Sequence, residues 1–377
     1  MEPCINMKVH NLTFVRCISL FKGDYREKKA VILKSNEGRK GGDTMYLVRK
    51  IYNPSMFQGK YKKRNYFEGW YYKLIDEKQD VIYSIIPGVA YGKTQEESHA
   101  FIQVIDGITG KTYYFYYPLE KFWYSTRDFD IRIGKNHFTE DHLSLCLSNP
   151  MISIDGELDF IHRVPYPKRW NAPGIMGPFS FVPGMECYHG VVNIHHEIRG
   201  SLWIDGEKKS FQKGYGYIEK DWGRSFPSEW IWIQSNHFTQ NNVSFMFSIA
   251  PIPWFFTHFV GFLCFLKIRE YMYCFSTYTG AKIKKLANQG ERWHIIIEDK
   301  KYKLDIYAEQ GEGGILKAPK NGEMSRKVKE SINSKIKIFL LEKKTRKILF
   351  QDKGIKTGME ISGDLFAWNK KRTRKRF

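Results

Sequence analysis

The chain of 377 residues carries a formal net charge of +20, and 16% of it is aromatic. That length is ample for a sizeable core and points to two domains rather than one. A mean hydropathy of −0.47 excludes a polytopic membrane protein. The excess of Lys and Arg reads first as a solvated basic face, with weak contact to anionic headgroups expected and no specific nucleic acid.

Residues 1–44 show no sustained period and end in the glycine-rich Asn36–Gly42, so a poorly ordered extension is expected there, with Met45 as an alternative start. Lys8 and Arg16 interrupt any apolar run in the first twenty residues, so no secretory signal is expected. Six scattered cysteines without a CxxC pair fit a reducing cytoplasm.

From Tyr46 onward, short runs rich in Tyr, Phe, Ile and Val alternate with turn signals. These are Asp76-Glu77-Lys78, Pro87-Gly88, Asp106-Gly107 with Thr109-Gly110, Asp155-Gly156, Asp205-Gly206 and Asn321-Gly322. The pattern predicts an all-β protein of antiparallel hairpins in barrels or sandwiches. Its only expected helix is a short one near Arg326–Ser331. Two aspartate-glycine turns in similar settings, at 155–156 and 205–206, suggest two successive meanders dividing near residue 200.

Val243–Leu266 contains no Lys, Arg, Asp or Glu, but Pro251 and Pro253 would break a membrane helix. The expected reading is a strand over 243–250, an apolar loop Pro251–Phe256 packed as a lid or dipping into a membrane interface, and a strand over 260–266. A basic tail, 367–377, closes the chain.

The densest chemistry lies between Gly214 and Asn236. Period-2 alternation puts Tyr215, Tyr217, Glu219 and Asp221 on one face of a strand, and Trp230, Trp232, Gln234 and Asn236 on one face of the next. Such faces suit either core aromatics with satisfied polar neighbours or the wall of a pocket for a large apolar molecule with one polar end.

Several ordered motifs carry a resemblance. Phe57-Gln58-Gly59 with Phe67-Glu68-Gly69-Trp70-Tyr71-Tyr72 resembles the opening motif of the tocopherol cyclase family. Tyr217–Gly223, Phe226-Pro227 and Trp230–Asn236 resemble its central motif, and Leu316–Pro319 and Gly358–Gly363 fit its later part. The resemblance covers roughly Tyr46–Phe366. It implies two lipocalin-like antiparallel β-barrel domains, 45–200 and 201–366, related to the carotenoid hydratase group. It further implies an isomerase that closes a prenylated quinol to a chromanol-type ring.

That chemistry needs a carboxylic acid kept neutral in an apolar site, to protonate an alkene, and aromatic faces to stabilise the cation. Glu68, Glu219 and Asp221 are the candidate acids, with Glu219 and Asp221 near enough to share a proton. Trp70, Tyr72, Tyr217, Trp222, Trp230, Trp232, Gln234 and Asn236 are the expected contacts of the prenyl-lipid substrate. No cofactor or metal is expected. His195-His196-Glu197, near His189, reads as polar positions on a strand beginning at Val191 rather than as a ligand set. A non-catalytic lipid-binding protein and a prenyl-lipid hydratase remain the alternatives.

Overall fold

The computed structural model describes residues 41–254 and 257–363. Residues 1–40 of the expected extension and the whole basic tail lie outside the described residues. Gly41–Tyr52 forms a helix, α1, so the last four residues assigned to the extension open a regular element instead.

Everything else is built on strands. The first sheet contains β1 (Tyr66–Ile75), β2 (Ile82–Tyr91), β3 (His99–Asp106), β4 (Thr112–Pro118), β5 (Phe122–Tyr124), β6 (Asp130–Ile133), β7 (Asn136–Thr139), β8 (His142–Asn149), β9 (Ile152–Pro165), β10 (Cys187–Ile204), β11 (Glu207–Ser210) and β12 (Gly214–Gly223). Its order is β4-β3-β2-β1-β12-β10-β9-β8-β7-β6-β5, with β11 beside β10. The second sheet contains β13 (Trp230–Ser235), β14 (Val243–Trp254), β15 (Thr257–Ile268), β16 (Tyr271–Cys274), β17 (Lys282–Gln289), β18 (Arg292–Glu298), β19 (Tyr302–Glu309), β20 (Gly314–Lys320), β21 (Glu323–Glu342) and β22 (Ile348–Ser362). Its order is β16-β15-β14-β13-β22-β21-β19-β18-β17, with β20 beside β21. Each sheet curls around its own apolar core as a lipocalin-like antiparallel barrel.

Several local expectations are corrected. The change of sheet comes between Gly223 and Trp230, whereas residue 200 lies inside β10. Asp155-Gly156 and Pro87-Gly88 are not turns. Gly156 lies in β9 opposite β10, and Pro87, which has no N–H for a ladder, occupies the gap in β1–β2 pairing between Gly69 and Tyr72. The segment expected to be helical at Arg326–Ser331 runs inside β21, with Lys327 and Lys329 exposed and Val328 and Glu330 buried, a period of two. Pro251–Trp254 continues β14 rather than forming a loop, with Pro251 opposite Val260 and Trp254 opposite Thr257. Among the described residues no helix is long and apolar enough to cross a membrane.

A third apolar cluster fills the space between the barrels. It includes Tyr71, Ile105, Tyr217, Trp230, Trp232, Val328 and Ile332. Polar bridges join the same faces: Gln103 donates to the Lys317 carbonyl at 3.0 Å and accepts from the Lys317 N–H at 2.8 Å. Both faces of β1, β12 and β13 are therefore covered, one by a barrel core and the other by the neighbouring barrel.

Candidate active site

Alternation along the wall strands decides what faces this inter-barrel space. In β1, Tyr66, Trp70, Tyr72 and Leu74 enter the first core, while Phe67, Gly69 and Tyr71 face outward. In β12, Glu219 and Asp221 face outward, opposite Tyr71 and Gly69 in register. Across the gap, Trp230 and Trp232 of β13 point back, while Ile231 and Ile233 enter the second core. Together they enclose a cavity of about 190 Å³, also lined by Glu330 of β21 and Glu360 of β22. Gly358 lets Trp232 lie flat against the wall: a Cβ there would stand 2.6 Å from the indole.

Glu219 is held by three neighbours. The Tyr217 hydroxyl donates to Oε2 at 2.7 Å and the Trp232 indole N–H donates to the same oxygen at 3.1 Å. His189 Nε2 stands 3.5 Å away. His189 is opposite Asp221 in register, and its Nδ1 lies 2.8 Å from Asp221 Oδ1. Burial pushes Glu219 up to about 7, with Asp221 adding to the rise against His189 and the two donors. Burial alone would lower His189, but Asp221 and Glu219 hold it up at about 9.

Glu330 and Glu360 form a second carboxyl group on the opposite wall, directly across from each other in the β21–β22 register. The Tyr71 hydroxyl donates to Glu330 Oε1 at 2.5 Å, and the Trp230 indole donates to Glu360 Oε2 at 2.8 Å. Burial raises Glu330 well above the usual carboxylate range and Glu360 adds to it; burial is also the main cause of the rise at Glu360. Neither was a candidate from sequence, although Glu360 lies in the Gly358–Gly363 motif.

The remaining expected site residues fall elsewhere. Glu68 is fully buried on the core-facing side of β1 and pairs with Lys220, Nζ to Oε1 2.5 Å. It also accepts from the Gln58 N–H and the Tyr66 hydroxyl; burial raises its carboxyl against Lys220 and these donors, and it lines neither cavity. Trp70 and Tyr72 are core residues beside it. Trp222 faces the same way, stacks on Tyr188 at 5.4 Å, and lines a different cavity. Tyr217 touches the site only through Glu219. Gln234 is buried beyond the cavity, and Asn236 is spent on the Gly216 carbonyl at 2.8 Å. His195 and His196 do lie on a strand, which begins at Cys187 and so also carries His189.

The second cavity, about 540 Å³, adjoins the first at Met176, Met185 and His189, and is bordered by Lys50, Lys62 and Arg224. As for metal, His189, Glu219 and Asp221 bring one donor atom each within 4.8 Å of one another. His189 Nδ1 is engaged by Asp221 Oδ1, while its Nε2, Glu219 and the Asp221 carboxylate all border the cavity. The three come from the adjacent strands β10 and β12, and the hydrogen bond among them is the 2.8 Å pair of His189 Nδ1 with Asp221.

A family model described as tocopherol cyclase-like matches residues 166–363, more than half of the chain. The chain belongs to the tocopherol cyclase-like family. Among curated relatives, a probable chloroplastic tocopherol cyclase of Oryza sativa subsp. japonica is 31% identical over 124 residues, covering 31% of this chain and 26% of that protein. The chloroplastic tocopherol cyclase of Zea mays is 50% identical over 38 residues, 10% of this chain and 8% of that one. The chain thus aligns with about a quarter or less of the length of these relatives. The crystal structure of CghA with Sch210972 superposes with a TM-score of 0.50 at 9% identity, over 79% of this chain and 89% of that one, a likeness of fold. The stretch matched by the tocopherol cyclase-like model contains His189, Glu219, Asp221, Glu330 and Glu360, but not Glu68.

Proposed function

We propose that the protein is a prenyl-lipid enzyme that adds an oxygen nucleophile across an alkene, closing a prenylated quinol to a chromanol-type ring. The observation that carries this reading is an apolar cavity into which buried carboxyl groups project beside indole rings. A carboxyl group in such a wall keeps its proton at neutral pH, as alkene protonation requires. The tertiary cation that follows is stabilised by tryptophan faces, each worth about 2 kcal/mol when desolvated. Exclusion of water leaves the substrate's own hydroxyl as the nucleophile. One proton is gained by carbon and one lost from oxygen, so the reaction is a redox-neutral isomerisation.

Membership of the tocopherol cyclase-like family supports the reading, as do the names borne by the two plant relatives. The reading includes a cytoplasmic protein in weak, peripheral contact with anionic membranes, the source of so apolar a substrate. The test is incubation with a prenyl quinol followed by mass spectrometry. A product of unchanged mass and new retention is expected. Gain of one water would make the protein a hydratase, and saturable binding without conversion would make it a carrier.

A further inference from the structure

The two carboxyl groups of the cavity are held in different ways. On the first barrel, Glu219 accepts two hydrogen bonds and faces His189, all of which favour its anion. On the second barrel, Glu330 and Glu360 confront each other with one donor apiece from Tyr71 and Trp230. Two carboxylates so placed in a water-poor wall cannot both ionise, and they hold one proton between them. Trp230 and Trp232 are successive inward positions of β13, about 6.6 Å apart along the strand. One indole N–H serves each carboxyl group, so the two groups flank the same short length of cavity.

Resting on the function proposed above, we propose a division of labour: the Glu330–Glu360 pair donates the proton to the alkene, and Glu219, steadied by His189 and Asp221, accepts the proton of the attacking hydroxyl. The alkene π pair forms the new C–H bond with the proton from the pair. A lone pair of the substrate oxygen then forms the C–O bond at the tertiary cation. The O–H bond breaks and its proton passes to Glu219. Solvent exchange after product release returns Glu219 to its anion and the shared proton to the pair. Proton and oxygen arrive from opposite sides of the double bond, which opposed walls make possible.

The pH profile separates this assignment from its reverse. With Glu219 as acceptor, the rate falls as pH drops through about 7, because the acceptor takes up a proton. With Glu219 as donor, the rate would instead fall as pH rises through the same value, and that result overturns the assignment. The groups facing Glu219 are Tyr217 and Asp221 on its own strand, His189 on β10, Tyr71 and Lys73 on β1, Trp232 on β13, and Glu330 on β21, while Glu360 acts on Asp221 beside it. Burial lowers Lys73 to about 7 as well, so the profile is repeated in Lys73→Met, which should keep the acidic limb. Glu330→Gln and Glu360→Gln should each lower kcat about a hundredfold or more.

A second measurement needs no substrate. About one pH unit above the Glu219 value, the infrared C=O stretch of protonated carboxyl groups is compared between the parent and folded variants. Band intensity should be lost in Glu330→Gln or Glu360→Gln and retained in Glu219→Gln. Retention in both pair variants with loss in Glu219→Gln refutes the assignment. Correct infrared behaviour without any conversion of prenyl quinols would refute the proposed function and leave the placement of the proton standing.

Discussion

Replacing Glu68 by glutamine removes the carboxylate paired with the fully buried Lys220 ammonium and leaves it among the carbonyls of Pro54, Ser55 and Met56. Burial already brings Lys220 down to about 8 from an ordinary 10.5, a difference worth roughly 3 kcal/mol. The pair is thus held against a desolvation cost rather than in surplus, and breaking one side should cost about 3–5 kcal/mol. That is a large part of the 5–15 kcal/mol typical of a folded protein. Urea unfolding followed by circular dichroism measures the loss, and turnover is then assayed under conditions where the variant is folded. We expect the midpoint to fall sharply while kcat of the folded protein stays within about threefold of the parent. Glu68→Leu combined with Lys220→Met should recover most of the stability, since well-packed apolar replacements of buried pairs are often neutral or better. A Glu68→Gln protein of parental stability that had lost turnover would overturn this reasoning and return Glu68 to the active site.

Lys73 offers a test with a defined sign. Folded Lys73 titrates near 7 and unfolded lysine near 10.5, so between these values unfolding takes up a proton and stability rises with pH. Lys73→Met should therefore be more stable than the parent by roughly 4 kcal/mol at pH 7 and lose most of that lead toward pH 10, as read by denaturant titrations across the range. Gly358→Ala should push the Trp232 indole away from Glu219, shifting tryptophan emission and lowering kcat about tenfold with a smaller change in Tm. Arg326 donates to the carbonyls of Pro227 and Ser228 and lies 4.7 Å over the Trp230 ring, clamping the connector between the barrels. Arg326→Lys should lower Tm by a few degrees and speed proteolysis between Gly223 and Trp230. Sedimentation with anionic vesicles should be detectable at low ionic strength and abolished by salt; association that persists would point to apolar insertion instead.

Alternation sufficed to group the residues of each wall strand but not to choose the face. Glu68, Trp70 and Tyr72 do share a side of β1, and Glu219 and Asp221 share a side of β12. Nearly every residue of β1 is buried, so polarity offers no clue to which side meets a barrel core and which meets the other barrel. Lys220 was the available signal, since a lysine in the midst of an apolar strand needs a carboxylate, and Glu68 is the one it reaches. At Glu330 the period of two was present in Lys327, Val328, Lys329 and Glu330, with a carboxyl at an inward position, but the run of charges resembles a solvated helix. Its partnership with Glu360 depends on a register set across the β21–β22 hairpin and its bulges, which no local pattern encodes.

Because the cavity lies between two separately cored barrels, no single core guarantees that it persists on warming. Each barrel can melt as its own cooperative unit, and their docking is a further equilibrium. Calorimetry of the unliganded protein should then resolve more than one transition, with activity lost before the strand signal falls. A bound lipid touching both walls stabilises only the docked form, so increasing its concentration should draw the transitions together into one.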